Sequence, residues 1–350
     1  MNKIIIFKSD MIGDLINFSP CLKIIKDNIK NSHITLICSD YNFQVAKNYT
    51  YIDEFIIFKR KSLFKNILKN FKKLYLNKYD FLFQFDGKNS SYVISYFIKS
   101  KIKSTICFIK HKKIFNFHYL KYRPAQYLLK TFYNNYIYCD ENYTHQENVE
   151  SRVHYQTNYF SLLEKLNFKI TNKKNLFFLD KDYQDQYNIF YKKFLNYKFC
   201  LFHFDEKWNN LNSQDYQNSL KIINYLSKKF KIIITTGVKN FIFLKNLKEN
   251  FFSVNYINNS FLFTDDIHKN NIFLLDKLPL NLLAYFIKNS EINLSFHSGP
   301  IVHISPAFDR QIIDLLPRTK NNELDRWIPT VSKYKRINFE NITEEVIENI

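Results

Sequence analysis

Apolar residues fall along the chain in short dense blocks separated by polar or amphipathic stretches. The blocks at 3–8, 33–38, 54–58, 80–86 and 104–109 are rich in Ile, Leu and Phe, the pattern of strands buried on both faces of a parallel sheet. Between them, 13–28, 62–76 and 89–99 read as helical or mixed segments. Residues 110–145 are basic and aromatic without a clean period, which predicts a loop-rich region with a short helix. A long helix is predicted from Gln146 to Leu166, with Val149, Val153, Tyr159, Phe160, Leu163 and Leu166 on its buried face, and another from Asp180 to Asn196. A second series then alternates strands at 198–204, 231–236, 252–256, 272–275, 292–296 and 310–315 with helices at 213–229, 240–249, 279–289 and 300–308. The predicted class is α/β, with two Rossmann-like domains facing a central cleft. The expected division is 1–180 and 195–330, with 331–350 packing back on the first domain.

The composition narrows this picture. The chain has 350 residues, 46% of them hydrophobic and 18% aromatic, enough for two cores and too apolar for a disordered chain. The longest apolar candidates, such as Leu278–Ile287, are about half a membrane span, and the N-terminus lacks the apolar core of a signal peptide. Cys21, Cys38, Cys107, Cys139 and Cys200 are scattered without a CxxC pair, so they read as reduced core residues of a cytoplasmic protein, with neither a disulfide framework nor a metal site. The basic excess is lopsided. Residues 1–200 carry 33 Lys/Arg against 16 Asp/Glu, a net of +17, and residues 201–350 carry 18 against 16, a net of +2. The first half is expected to face something anionic.

Only four glycines occur: Gly13, Gly87, Gly237 and Gly299. Each follows a strand-like run, and in so depleted a chain each is expected where the backbone needs positive φ or a close approach. These turns sit where ligands bind in open α/β sheets, beyond the C-terminal ends of the strands.

Three of the turns carry chemistry. In Ser9-Asp10-Met11-Ile12-Gly13-Asp14, Asp14 falls at or near a helix N-terminus, where backbone N–H groups favour an ionised carboxylate able to take a proton from a hydroxyl; Asp10 or Asp14 as a simple cap is the competing reading. Ser19-Pro20 marks either a helix start or a kink in a longer helix. In Phe296-His297-Ser298-Gly299-Pro300-Ile301-Val302-His303, Ser298 suits an N-cap and Pro300 the first helical turn. That strand–turn–helix is expected to bind a diphosphate, with His297 and His303 donating to phosphate oxygens. In His203-Phe204-Asp205-Glu206-Lys207-Trp208, Lys207 can reach a phosphate as a mobile point charge, or it is a solvated lysine beside a packed Trp.

This ordered set resembles glycosyltransferase family 9, the ADP-heptose:lipopolysaccharide heptosyltransferases. The matching parts are a strand, a Gly-Asp turn and a Pro-containing helix at Ile4–Pro20, a loop with Lys207-Trp208, and a Ser-Gly turn followed by a histidine at Ser298–His303. The resemblance covers most of the chain and implies the GT-B fold. It also implies inverting, metal-independent transfer of a sugar, heptose among the candidates, from a nucleotide-diphosphate donor to a lipopolysaccharide or related lipid-linked glycan acceptor, with no cofactor. By that resemblance Asp14 is the general base, and Lys207, Ser298 and Gly299 hold the diphosphate. The chain departs from the family in two places. His297 replaces an acidic residue, and Val238-Lys239-Asn240 follow Gly237 where heptosyltransferases often place a carboxylate.

Residues 59–78 hold eight basic residues and no acid, with Leu63, Phe64, Ile67, Leu68, Phe71, Leu74 and Tyr75 at helical spacing. The stripe is expected to pack on the sheet. The lysines, with Lys110, Lys112, Lys113, Lys121 and Arg123, are expected to rest on the anionic inner face of the cytoplasmic membrane. The composition also admits a nucleic-acid binder, but no recognition motif is present and no nucleic acid is expected as a partner. A GT-B-fold nucleotide-sugar epimerase or an inactive relative is the other alternative.

Overall fold

The computed structural model describes residues 1–59, 62–114, 117–122, 124–140, 155–192, 198–210, 212–237, 239, 242–249, 252–255, 261–264, 272–316, 327–328 and 333–338. The chain divides into two compact units. The first holds Met1–Phe178 and Asp325–Thr330, and the second holds Leu179–Leu324 and Val331–Ile350.

The first unit is built from β1 (Asn2–Phe7), α1 (Ile12–Asn28), β2 (Ser32–Ser39), α2 (Asp40–Ala46), β3 (Glu54–Phe58), α3 (Leu63–Lys69), β4 (Lys78–Gln84), α4 (Asn89–Phe97), β5 (Lys99–Ile114), β6 (Phe117–Tyr122), α5 (Pro124–Leu129), β7 (Asn135–Asp140) and α6 (Tyr155–Lys165). The sheet order is β3-β2-β1-β4-β5-β6, with β7 also on β5. All pairings are parallel except β5–β6. Strand β1 is central and Ile4 to Phe7 are fully buried, as a strand covered on both faces requires. Helix α1 contains Pro20 within its length, so Ser19-Pro20 lies in one longer helix. Its outer side is covered too: Gln156 donates to the Asn17 carbonyl at 2.9 Å, and the Leu176 N–H to Ser19 Oγ at 2.7 Å.

The second unit comprises α7 (Gln184–Phe190), β8 (Phe199–Phe204), α8 (Ser213–Leu226), β9 (Lys231–Thr236), α9 (Leu244–Glu249), β10 (Phe252–Asn255), β11 (Phe261–Thr264), β12 (Ile272–Leu275), α10 (Leu280–Asn289), β13 (Ile292–Ser295), α11 (Gly299–Ile304), β14 (Gln311–Leu316) and β15 (Tyr334–Asn338). The order is β10-β11-β12-β9-β8-β13-β14-β15. The six strands from β12 to β15 are parallel, and β10 and β11 add antiparallel at one edge. Phe202, Phe204, Trp208, Ile234, Leu294 and Ile313 centre its core. The Rossmann-like reading of both halves therefore stands, and the five cysteines are free and buried.

Four expectations need correction. The basic region after 109 is an antiparallel hairpin, β5–β6, followed by α5 and β7, rather than mostly loop. The stripe at 63–75 does not pack wholly on the sheet. The α-helix stops at Lys69, a π-helical turn follows at Lys72–Leu76, and Leu74 is buried while Phe64, Leu68, Phe71 and Leu76 are exposed. Residues 334–338 form the edge strand beside β14 instead of returning to the first unit. No glycine has positive φ; among the described residues Asn31, Asn167, Lys277, His297 and Asp309 take left-handed positions. The first part of the helix expected from Gln146, including Val149 and Val153, lies outside the described residues. Among the described residues no helix is long and apolar enough to cross a membrane.

Candidate functional site

Strand order locates the chemistry. In each sheet the chain leaves a central strand to one side and later returns to its other side, so a crevice opens at the strands' carboxyl ends. In the first unit this switch point lies between β1 and β4; in the second it lies between β8 and β13.

At the first switch point β1 runs into Lys8-Ser9-Asp10-Met11 and then α1. Lys8 is fully buried, and its Nζ lies 2.6 Å from Asp10 Oδ2 and donates to the Tyr159 hydroxyl at 2.7 Å. The ammonium also lies 4.8 Å from the centre of the Tyr159 ring, a cation–π placement. Strand β4 runs into Phe85-Asp86-Gly87-Lys88. Asp86 Oδ2 accepts the Ser9 N–H at 3.1 Å and the Ser9 hydroxyl at 2.6 Å, and Lys88 Nζ donates to the Ser9 carbonyl. The two turns are thus tied together. Burial pushes the Asp10 carboxyl up to about 7; Lys8 opposes this, and the charges of Asp14 and Asp86 add to it.

Asp14 is the third residue of α1, half-buried, with Oδ2 accepting the Met11 N–H at 3.3 Å. It therefore does cap the helix, as the competing reading has it. One carboxylate can both cap the helix and accept a proton, because a weak contact uses only part of its four lone-pair sites. Gly13 lies inside the first turn of the helix, not in the loop before it.

At the second switch point β8 leads into Asp205–Trp208 and β13 into Phe296–Gly299. These loops meet: Lys207 Nζ donates to the His297 carbonyl oxygen. Lys207 is half-buried, and its backbone N–H donates to Asp205 Oδ1 at 3.0 Å. Trp208 is fully buried against Phe204, at 4.2 Å between ring centres, the packed Trp of the alternative reading, while Lys207 is not simply solvated. Gly237 follows β9 next door and is a close-approach glycine, since a Cβ there would lie 3.3 Å from Asp205 Cβ.

Ser298 precedes α11, but its side chain makes no capping bond. Its Oγ is buried and without a partner among the described residues. Helix α11 has six residues with Pro300 in its first turn, so the expected dipole contribution shrinks, and donors near Ser298 carry more of any anion binding. His303 is buried on the same helix, its Cδ2 3.9 Å from where a Cβ on Gly299 would sit. His297 Nδ1 is bonded to Asp314 Oδ2 at 2.6 Å and is therefore committed inside the protein.

Sequence reading missed Lys8, Asp86, Lys88 and Asp314. Lys8 and Asp314 stand in or beside apolar strand runs, and a charge inside such a run is the signal that was available. Thr236 Oγ1 and Lys248 Nζ, 2.5 Å from Oδ2, both donate to buried Asp276, a further polar cluster at the ends of β9 and β12.

No protein-family model matches the chain, and no curated protein matches it in sequence. Solved structures do. A family 9 glycosyltransferase from Veillonella parvula aligns with a TM-score of 0.68 at 14% identity, over 99% of this chain and 88% of that one. The E. coli heptosyltransferase WaaC with ADP aligns at 0.62 and 14%, over 99% and 98%. A UDP-GlcNAc 2-epimerase from Methanocaldococcus jannaschii aligns at 0.53 and 12%, over 99% and 90%. At these identities the likeness is one of fold, and the chain has the architecture of paired Rossmann-like domains, GT-B, that the glycosyltransferases among them adopt.

Proposed function

We propose that the protein is an inverting, metal-independent glycosyltransferase that moves a sugar from a nucleotide-diphosphate donor to a lipopolysaccharide or related lipid-linked glycan, heptose being the first sugar to test. Asp14 takes the proton of the acceptor hydroxyl as its oxygen bonds to the anomeric carbon. The bond from that carbon to the diphosphate oxygen breaks on the opposite side, and the configuration inverts. Lys207, with the Ser298 hydroxyl and the Gly299 backbone, stabilises the charge that develops on the leaving diphosphate. His303 flanks the same turn.

The observation that carries the reading is the chemistry at the two switch points: a carboxylate at the helix start beyond β1, and a lysine meeting a Ser-Gly turn beyond β8 and β13. The heptosyltransferase with ADP supports a nucleotide-linked donor. The epimerase likeness is weaker, and no observation favours that reading. Peripheral attachment to the anionic face of the cytoplasmic membrane completes the proposal. Lys110 and Lys121 stand in register across the β5–β6 hairpin, which also carries Lys112 and Lys113; Arg123 lies outside the described residues.

A thermal-shift screen with ADP-, UDP-, GDP- and CMP-linked sugars tests the proposal, because a ligand of the folded state raises Tm. One donor class is expected to stabilise the protein and then to be consumed when a glycolipid acceptor is added. A protein indifferent to every nucleotide-sugar would refute the reading.

A further inference from the structure

The geometry points to Asp314 as a positioning residue that holds His297 in its Nδ1–H form, so that Nε2 is offered as a hydrogen-bond acceptor to a hydroxyl of the donor's sugar. This rests on the glycosyltransferase reading and extends it to His297, one of the two places where the chain departs from the resembled family.

His297 has φ of 43°, a conformation that non-glycine residues hold only when their surroundings enforce it. The enforcement comes from one side chain. The Asp314 carboxylate accepts both the backbone N–H and the ring Nδ1 of His297, the latter at 2.6 Å. It also accepts the Tyr334 hydroxyl at 2.7 Å from the neighbouring strand β15. Burial, with the Asp314 charge adding to it, pushes the Tyr334 phenol far above its ordinary range. Tyr334 is therefore a donor, and the fully buried Asp314 is the acceptor for both groups. The carboxylate already accepts the His297 N–H and the Tyr334 hydroxyl, and its third contact is assigned the same sense, with the hydrogen on the imidazole Nδ1.

A neutral imidazole with its hydrogen on Nδ1 carries a lone pair on Nε2. Among the described residues nothing satisfies that lone pair. Phosphate oxygens are acceptors as well and would repel it. The donors suited to phosphate stand at the same turn, Lys207 on the His297 backbone carbonyl and Ser298 one residue further on. The group that fits Nε2 is a sugar hydroxyl. The histidine thereby keeps the acceptor character of the acidic residue it replaces while removing its negative charge from beside a diphosphate. The expected division, with both His297 and His303 donating to phosphate, is revised for His297.

The test combines a spectroscopic and a binding measurement. Long-range proton–nitrogen correlation on 15N-histidine-labelled protein, followed across a pH series, reports the protonation of each ring nitrogen, with the His297→Asn spectrum assigning the signal. Nδ1–H is expected in the wild type. In Asp314→Asn the amide can donate to Nδ1, and the proton is expected to move to Nε2. By calorimetry with ADP, UDP and GDP and their sugar conjugates, Asp314→Asn should bind the free nucleotide within about twofold of wild type. It should bind the sugar conjugate at least tenfold more weakly, as expected when a hydroxyl meets a donor instead of an acceptor.

Asp314→Asn risks misfolding, so His297→Asn is the second variant. Asparagine tolerates positive φ and can still donate to Asp314, but it has no atom at the Nε2 position; it should lose the same sugar-dependent affinity. A wild-type Nε2–H signal overturns the inference. So does unchanged affinity of both variants for the conjugate, an outcome that leaves the glycosyltransferase reading intact. Failure of every protein, wild type included, to bind any nucleotide overturns both.

Discussion

Lys8 Nζ sits 2.6 Å from Asp10 Oδ2, with the lysine side chain fully buried and that of the aspartate 17% exposed. Even so, burial outweighs the ion pair and lifts Asp10 from 3.8 to about 7. The folded state therefore holds this proton more tightly than the unfolded chain. Between about pH 4 and 7 the unfolded chain gives up the proton and the native state keeps it, so stability falls as pH rises through that window and levels off above it. Asp10→Asn removes this dependence. Urea unfolding of the two proteins at about pH 4, 5.5 and 7 is expected to show the wild type losing stability relative to the variant as pH rises, on the order of a few kcal/mol. Parallel pH profiles would contradict the raised value.

Asp14→Asn separates cap from base. Asparagine retains an oxygen that can accept the Met11 N–H, and the lost charge at the helix start is worth about 0.3–1 kcal/mol. Stability should therefore change by less than about 1 kcal/mol. An amide cannot accept a hydroxyl proton, so transfer is expected to fall by roughly 100- to 10,000-fold with the donor's affinity unchanged. Retained turnover would remove Asp14 from the role of base.

The contrast between these two aspartates also marks what can be read from residues alone. Ile-rich runs with polar borders announce parallel strands, and β1, β8, β9 and β13 were legible for that reason. Strand β15 was not: of Tyr334–Asn338 only Ile337 is buried, and an edge strand needs no apolar run. The contact between Lys207 and His297 spans 90 residues. It becomes visible only once the sheet order sets β8 beside β13. The positive-φ positions fell to other residues because Asn and Asp tolerate the left-handed region through their short polar side chains, while Asp314 holds His297 there and nothing in the structure explains Lys277. The close-approach half of the glycine expectation holds at Gly237, where the neighbour is fixed backbone and Cβ of Asp205.

That difference makes a paired prediction for two glycines. At Gly237 an added Cβ meets Asp205 Cβ at 3.3 Å and Cα at 3.4 Å, and Gly237 donates its N–H to the Phe204 carbonyl at 2.8 Å, so the strand end cannot move freely. Gly237→Ala is expected to cost about 1–3 kcal/mol. At Gly299 the nearest atom is His303 Cδ2 at 3.9 Å, and the position is helical. Gly299→Ala should be neutral or stabilising by about 0.5–1 kcal/mol. Denaturant midpoints measure both, and equal effects would show that crowding does not distinguish the sites.

The exposed side chains of α3 and the turn after it lead to the last prediction. Phe64, Leu68, Phe71 and Leu76 are 72%, 58%, 47% and 65% exposed, within a segment whose charges are all basic. Lysines near an anionic bilayer contribute about 1 kcal/mol each, and salt screens that attraction. Apolar side chains entering the interface contribute through area removed from water, which salt does not screen. Flotation with anionic vesicles should therefore show two components: a part lost as salt is raised, and a salt-resistant remainder. Replacing all four residues with serine should abolish the remainder and leave the screened part, because no lysine has changed. If the serine variant floats as the wild type does at high salt, these side chains do not enter the bilayer. If binding ignores anionic lipid content altogether, the basic face is not the attachment surface.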